Sequence, residues 1–301
     1  MASVPSPDRL VLGTAQLGFN YGIANRTGKP GDKMAREIVS TAWELGIREF
    51  DTAQGYGDSE RVLGGCLADL GLQDEARVTT KITLPDGPDL PSQLGRCVAV
   101  SLERLRVPRL RNLLLHREHD LRHLDGPARR AWVALQEQGL TEGLGVSVYS
   151  VASALRALRL EAVDCLQLSA NVLDRRFARA GVFELAREKG ARIYVRSVFL
   201  QGLLLMDPDD LPGHLADARE ALLALKALCA DFGLSRQSFC LSWAASRYPD
   251  ATLVIGAESP EQVRENCYAL GNLPSEAAAA ARRAFEDVSE KILNPSLWAT
   301  A

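Results

Sequence analysis

Four titratable residues of different types lie at or just after the ends of short apolar segments. Asp51 and Tyr56 belong to the stretch REFDTAQGYGDSERVLG at residues 48–64, Lys81 ends the run TTK, and His116 ends LLLH. Aspartate is unfavourable in strands, yet Asp51 closes an apolar segment. A carboxylate, a phenol, an ammonium and an imidazole are groups that can together move a proton to an oxygen atom.

The chemistry depends on how the phenol is activated. An ordinary tyrosine has a pKa of about 10, so it is a weak proton donor at neutral pH. A neighbouring ammonium is predicted to lower that pKa by stabilising the phenolate, and a carboxylate beyond the lysine keeps the ammonium oriented and charged. We therefore predict a relay Asp51–Lys81–Tyr56, with His116 holding a substrate oxygen. Such a relay protonates an oxygen while a partner delivers a hydride to carbon.

The elements that position these residues alternate between strand and helix. Near-continuous apolar strands separated by amphipathic segments indicate a parallel sheet covered on its outer side. Eight such units in about 280 residues predict an α/β fold, a closed (β/α)8 TIM barrel. We expect one domain over residues 1–301, with an additional C-terminal helix at 274–292. The predicted strands are 9–15, 47–53, 77–82, 111–116, 143–148, 163–169, 192–198 and 252–257.

Capping residues mark three helix starts. These are Ser92, then Asp125 with Pro127, and Ser259 with Pro260. In a TIM barrel the functional residues lie at the carboxyl ends of the strands. Each candidate alone has a structural explanation, as a turn cap, a solvated strand end or a core histidine. Their occurrence at three consecutive strand ends favours one shared site.

Composition narrows the function classes. The 301 residues are 47% hydrophobic and 24% charged, with a net charge of −3. We therefore expect neither nucleic acid nor a membrane as a partner, since the chain has no basic block and no apolar run of about 18 residues. The six scattered cysteines and an N-terminus without secretory features predict a cytoplasmic protein with reduced thiols. The expected partner is a small molecule, and the sequence carries no signal for the oligomeric state.

A set of segments in order along nearly the whole chain resembles the aldo-keto reductase superfamily. They are LVLGTAQLGFNYG, FDTAQGYGDSERVLG, the segments ending in Lys81 and His116, and GLGVSVYS, QLSANVLDRR and VIGAESPEQVREN. The resemblance implies a (β/α)8 reductase that reduces an aldehyde or ketone with a nicotinamide cofactor, usually NADPH, and no Rossmann fold. Its catalytic tetrad falls on Asp51, Tyr56, Lys81 and His116, with Tyr56 as the proton donor. The opening segment also resembles a bacterial branch found among polysaccharide and secondary-metabolite genes.

The resemblance also implies the cofactor contacts. They are Gly13 and Thr14 near the nicotinamide, Ser147 and Gln167 at its carboxamide, Arg196 beneath the ring, Ser197 and Gly202 at the pyrophosphate, and Gly256, Ala257, Glu258, Gln262, Glu265 and Asn266 in the last segment. A physical argument supports that segment, because a helix beginning after Ser259 offers free N–H groups to a phosphate. The alternative is a well-capped barrel helix without a ligand role.

Three positions depart from the pattern of the resembled family. Val148 replaces an asparagine that many members place on the carboxamide, and Arg196 replaces a stacking aromatic. A guanidinium beneath the ring would disfavour the oxidised cofactor; the alternatives are a pair with a helix acid or contact with an anionic substrate group. Glu258 stands where NADP-specific members often carry a base, with Arg264 one helical turn on. We predict NADP(H), with NAD(H) as the alternative that Glu258 favours.

Other functions remain open at this level. A metal-dependent hydrolase is one, because His116 and His119 have HxxH spacing. A non-catalytic nicotinamide-binding regulatory protein on the same scaffold is another. A third is an epimerase or dehydratase that uses bound nicotinamide transiently. The substrate is not readable from the segments expected to surround the mouth of the barrel, which are 20–30, the loop after Tyr56, 116–127 and 205–215.

Overall fold

A closed barrel of eight parallel strands forms the centre of the molecule, as predicted. The computed structural model describes residues 7–84, 89–126 and 128–298. Each strand pairs with its neighbour in sequence, and β8 closes the barrel on β1. The strands are β1 Leu10–Gly13, β2 Glu49–Asp51, β3 Arg77–Ile82, β4 Asn112–Leu115, β5 Leu144–Val148, β6 Cys165–Ser169, β7 Arg192–Arg196 and β8 Thr252–Gly256.

Helices surround the barrel and bury one apolar face each. In the helix Asp32–Glu44, for example, Ile38, Val39 and Ala42 are buried. The helices are α1 Ala15–Gly18, α2 Asp32–Glu44, α3 Ser59–Leu70, α4 Leu90–Leu105, α5 Ala128–Glu137, α6 Val151–Ala157, α7 Arg176–Arg179, α8 Val182–Lys189, α9 Arg219–Asp231, α10 Arg236–Arg247, α11 Pro260–Ala269, α12 Ser275–Ala284 and α13 Glu290–Leu293. Short 3-10 helices cover Pro7–Arg9, Glu118–Asp125, Leu200–Leu205, Gly213–Ala218 and Pro295–Leu297. Over the described ranges, no helix combines the length and apolar character needed to cross a bilayer.

The predicted helix starts differ in accuracy. The start at Ser259 is confirmed, since its hydroxyl accepts the N–H of Gln262 at 3.3 Å and α11 begins at Pro260. The start at Ser92 is wrong: α4 begins two residues earlier, because Asp89 occupies the capping position. The start at Asp125 with Pro127 is followed by α5 from Ala128, but Pro127 itself lies outside the described residues.

The prediction of one continuous helix at 274–292 is wrong. It is two helices, α12 and α13, separated at residues 285–289. The interruption has a tertiary cause, because the Arg175 guanidinium donates to the backbone oxygens of Arg282 and Phe285 at 3.1 and 2.7 Å. Arg282 lies in the last turn of α12, and Phe285, the residue that follows the helix, is buried in the core. The helix therefore ends where an arginine from another element takes its terminal acceptors.

The barrel interior is closed at its amino-terminal end. Tyr194 packs there with Val11 and Leu114, and its hydroxyl accepts from the Asn112 side chain at 2.9 Å. Asn112 in turn accepts from Arg192 at 2.7 Å. A polar group buried in the barrel must be hydrogen-bonded to be tolerated, and these groups satisfy one another. The filled end leaves the carboxyl ends of the strands as the place for a site.

Candidate active site

A buried ion pair forms the base of the site. Lys81 Nζ, on β3, donates to Asp51 Oδ2 at 2.6 Å and to the Thr52 backbone oxygen at 2.9 Å. The other Asp51 oxygen accepts from Gln167 Nε2 at 2.7 Å. Lys81 and Asp51 are only 1% and 4% exposed. Burial lowers the pKa of Lys81, and the Asp51 carboxylate opposes that shift. The ammonium is therefore fixed in place by a charged partner, as predicted from the sequence.

Tyr56 lies directly beyond this pair. Lys81 Nζ donates to its hydroxyl at 3.4 Å, and the same nitrogen is 4.8 Å from the ring centroid. The loop that carries Tyr56 is held against α1, where a Cβ added to Gly18 would come within 1.7 Å of the Tyr56 backbone oxygen. Gly18 is therefore required for this approach. The half-buried phenol is positioned by the backbone as well as by the lysine.

The prediction that Lys81 lowers the pKa of Tyr56 is wrong for this structure. Burial is the main cause that raises the pKa of the Tyr56 phenol, and the Asp51 carboxylate raises it further. The Arg196 guanidinium opposes the shift only in part. In the resting state, burial and the Asp51 carboxylate therefore outweigh the stabilisation of a phenolate by the Lys81 ammonium, which lies 3.4 Å from the hydroxyl. Tyr56 is thus a protonated donor at neutral pH.

His116 completes the group of four. Its ring lies edge-on to Tyr56 with the centroids 5.5 Å apart. Burial first, then the charges of Lys81 and Arg196, lower the pKa of His116 to about 4. The imidazole is therefore neutral at pH 7, with one nitrogen free to donate and the other to accept.

The HxxH spacing does not produce a metal-binding arrangement. His119 is exposed, and its ring contacts the Arg122 guanidinium, while His116 faces Tyr56. In the part of the chain that the structure describes, no three His, Cys, Asp or Glu side chains converge on a point where they could hold a metal ion.

A cavity of about 270 Å³ opens beside Tyr56 and extends across the ends of β1, β7 and β8. Lys81 and His116 are not among the residues that line it. Ser147 and Ala257, both 3% exposed, do not line it either. The predicted residues that do line it are Gly13, Thr14, Asp51, Tyr56, Gln167, Arg196, Ser197, Gly202, Gly256, Glu258, Gln262, Glu265 and Asn266.

One wall of the cavity is a strained turn after β7. Ser197, Leu200 and Gln201 have φ angles of 59°, 50° and 55°, a conformation that is unfavourable for residues other than glycine. The turn meets the insertion at 20–30, whose Ile23 N–H donates to the Gln201 oxygen at 3.2 Å. Strain that persists at a cavity wall suggests a ligand-binding function for the turn.

Sequence reasoning missed several lining residues. They share no periodic signal, since most come from loops; they include Gln16, Tyr21, Gln201 and Gln237. The insertion at 20–30, which the sequence analysis places near the mouth, contributes Tyr21, Gly22 and Ala24 to the lining. Gly256 marks the place where Gln16 enters the cavity wall, because a Cβ at residue 256 would lie 2.3 Å from the Gln16 amide nitrogen.

The far end of the cavity is acidic. Glu258 and Glu265 both line it, and the Glu258 N–H donates to the Gln262 side chain at 2.8 Å. Burial raises the pKa of the Glu258 carboxyl. Arg264, the predicted compensating base, pairs instead with Glu261 at 3.5 Å. Among the described residues that line the cavity, Arg196 is the only basic one.

Comparison with known proteins agrees with this fold. Residues 9–284 match the model of the Aldo/keto reductase family. Aldo-keto reductase str7 of Strobilurus tenacellus is 27% identical over 92% of this chain and 87% of its own length. The NADH-specific methylglyoxal reductase of Escherichia coli is 25% identical over 94% of this chain and 96% of its own. A glycerol dehydrogenase from Gluconobacter oxydans has the same fold, with a TM-score of 0.74, 24% identity and 98% of each chain covered. The chain belongs to the aldo/keto reductase family.

Proposed function

We propose that this chain reduces an aldehyde or ketone to an alcohol with a reduced nicotinamide cofactor, and that Tyr56 donates the proton. Family membership supports an oxidoreductase that uses such a cofactor. The observation that carries the finer assignment is the position of Tyr56, which lines the cavity of about 270 Å³ and whose hydroxyl is 3.4 Å from Lys81 Nζ. A protonated phenol with an ammonium beside it is suited to general acid catalysis.

The side chains divide the work of proton transfer. A bound nicotinamide supplies the hydride for the carbonyl carbon. Tyr56 gives its proton to the carbonyl oxygen as negative charge develops there, and Lys81 then stabilises the phenolate that remains. Asp51 holds the lysine in place through the 2.6 Å ion pair. The neutral imidazole of His116 donates a hydrogen bond to the same oxygen, which requires no change of its charge.

The cavity residues fit a nicotinamide dinucleotide. Gln167 gives its amide nitrogen to Asp51, so its oxygen is left to accept from a carboxamide. The strained turn at Ser197–Gly202 and the beginning of α11 face the middle and far end of the same cavity. We assign the carboxamide contact to Gln167 rather than to Ser147, because only Gln167 lines the cavity.

NADH is the better match at the far end. The 2′-phosphate of NADPH would approach Glu258 and Glu265, and like charges repel at this range. A carboxylate can instead accept hydrogen bonds from ribose hydroxyls, as acids do in other NAD sites. The resemblance alone favoured NADP(H), but Arg264 is engaged with Glu261 and leaves the carboxylates uncompensated. The E. coli relative is named for the same preference.

The proton-donor role is testable with one substitution and a matched control. Purified protein is assayed for NADH oxidation with a panel of aldehydes and ketones. Tyr56→Phe should lower kcat by about 10²–10⁴-fold, the usual contribution of general acid catalysis, and leave the Kd for NADH within about twofold. Tyr268→Phe changes a tyrosine that is 77% exposed and should leave kcat unchanged. A Tyr56→Phe enzyme with near-normal kcat would disprove the assignment.

A further inference from the structure

Arg196 is held in the cavity by uncharged groups. Its Nη2 donates to the Val148 backbone oxygen at 3.1 Å and its Nη1 to Ser197 Oγ at 3.3 Å. Its guanidinium carbon lies 4.1 Å from the ring centroid of Tyr149, so the aromatic ring covers one face. Nε is buried and has no hydrogen-bond acceptor among the described residues. A guanidinium has five N–H donors, and these contacts use two of them.

The charge of Arg196 has no counterpart nearby. No acidic side chain of the described ranges is within ion-pairing distance of it, so the helix-acid pairing considered from the sequence is not present. Asp51, the carboxylate closest to the reacting groups, is already bound by Lys81 and Gln167. His116 is neutral at pH 7. The catalytic end of the cavity therefore carries one net positive charge.

We propose that Arg196 binds a carboxylate of the substrate, so that this enzyme prefers carbonyl compounds that also carry an acid group. The inference rests on the reductase function proposed above. A planar guanidinium fixed against Tyr149 presents its remaining N–H donors in the geometry that suits a carboxylate. An acid bound there brings a negative charge into a half-buried site that otherwise keeps an uncompensated cation.

Aromatic residues near the mouth suit the body of such a substrate. Tyr21 lines the cavity, and Phe19 lies edge-on to it with the ring centroids 5.5 Å apart. Phe19 is also 6.1 Å from the Tyr56 ring and is 37% exposed. An apolar linker between acid and carbonyl would lie against these rings, while the carbonyl reaches the Tyr56 hydroxyl.

Two matched pairs of compounds test the proposal. 4-Carboxybenzaldehyde is compared with 4-carbamoylbenzaldehyde, and 4-oxobutanoate with 4-oxobutanamide, so that each acid has a neutral amide of similar shape. In the wild type, kcat/KM should be about 10–100-fold higher for the acid in at least one pair, which is the range for hydrogen bonds to charged groups. Arg196→Gln should bring that ratio close to one, mainly by lowering kcat/KM for the acid.

Two further variants separate charge from shape and from general damage. Arg196→Lys keeps the charge but loses the planar fork, so it should retain part of the acid preference. Arg187→Gln removes an exposed arginine that pairs with Asp250 and should keep the wild-type ratio. The assignment of Arg196 would be overturned, with the reductase function left intact, by either of two results. The wild type could reduce the amides as well as the acids, or the preference for acids could survive in Arg196→Gln. Failure of the wild type to oxidise NADH with any carbonyl compound would overturn both.

Discussion

The buried pair of Lys81 and Asp51 predicts a loss of stability that is distinct from the loss of activity. Lys81→Met removes the ammonium and leaves the Asp51 carboxylate, 4% exposed, with only the Gln167 amide and no cation. Breaking a buried ion pair by removing one partner costs about 3–5 kcal/mol. We expect Lys81→Met to lower the free energy of unfolding by that amount, and Asp51→Asn to do so by a similar amount.

The double variant should behave differently from the sum of its parts. Asp51→Asn with Lys81→Met replaces both charges with uncharged groups of similar shape, so no buried charge is left without a partner. Such replacements are often close to neutral, and we expect the free energy of unfolding to return to within about 2 kcal/mol of the wild type. Activity should not return, because the phenolate of Tyr56 no longer has an ammonium beside it.

Urea titration followed by circular dichroism measures the stability, and NADH oxidation measures the activity. Lys29→Met is the matched control: Lys29 pairs with Asp58 at the same 2.6 Å, but the two side chains are 35% and 33% exposed. An exposed pair contributes no more than about 1 kcal/mol. The reasoning is refuted if Lys81→Met costs no more than Lys29→Met, or if the double variant loses the sum of the two single losses.

Three other predictions concern charge. The folded-state pKa of His116, about 4, lies below its ordinary value of about 6.5, so the unfolded chain binds the extra proton first and stability falls as the pH drops through this window. Between pH 7 and pH 5 the free energy of unfolding, measured by urea titration, should fall by about 2 kcal/mol more in the wild type than in His116→Gln. Equal falls in the two proteins would contradict the lowered pKa of His116. Glu258→Lys should raise the affinity for NADPH relative to NADH by about tenfold or more in fluorescence titrations, and an unchanged ratio would place the phosphate elsewhere. The unpaired charge of Arg196 disfavours the cationic ring of NAD⁺, so NADH should bind at least about fivefold more tightly than NAD⁺. Arg196→Tyr should reduce this ratio of the two dissociation constants, and an unchanged ratio would mean that the guanidinium is remote from the ring.

The fold and the contact between Asp51 and Lys81 were predictable from the sequence because both depend on where the strands end. Apolar segments of strand length predicted all eight strands, and parallel pairing brings their carboxyl ends to one rim. Register then places Gly13 beside Asp51 on one side and Gly256 on the other. Residue type and position relative to a strand end were sufficient to group Asp51 and Lys81, whose side chains meet at 2.6 Å.

The features that sequence could not supply depend on contacts between distant elements. At the break between α12 and α13, the carbonyls of Arg282 and Phe285 accept from Arg175, which lies more than a hundred residues earlier. The direction of the Tyr56 pKa shift depends on burial and on the Asp51 carboxylate outweighing Lys81, neither of which spacing reveals. Arg196 reaches Val148 and stacks on Tyr149 across β6, a contact with no signature in either segment.

The most direct test of the central claim follows the hydride. Enzyme is mixed in a single turnover with NADH that carries deuterium at the hydride position of its nicotinamide, and with the aldehyde that gives the highest kcat/KM. We predict one alcohol formed for each NADH oxidised, with deuterium on its carbinol carbon, and a much slower reaction in Tyr56→Phe. Product formed without net oxidation of NADH would indicate an epimerase or dehydratase. Tight NADH binding with no product from any carbonyl compound would indicate a regulatory protein, and either result would contradict the proposed reductase.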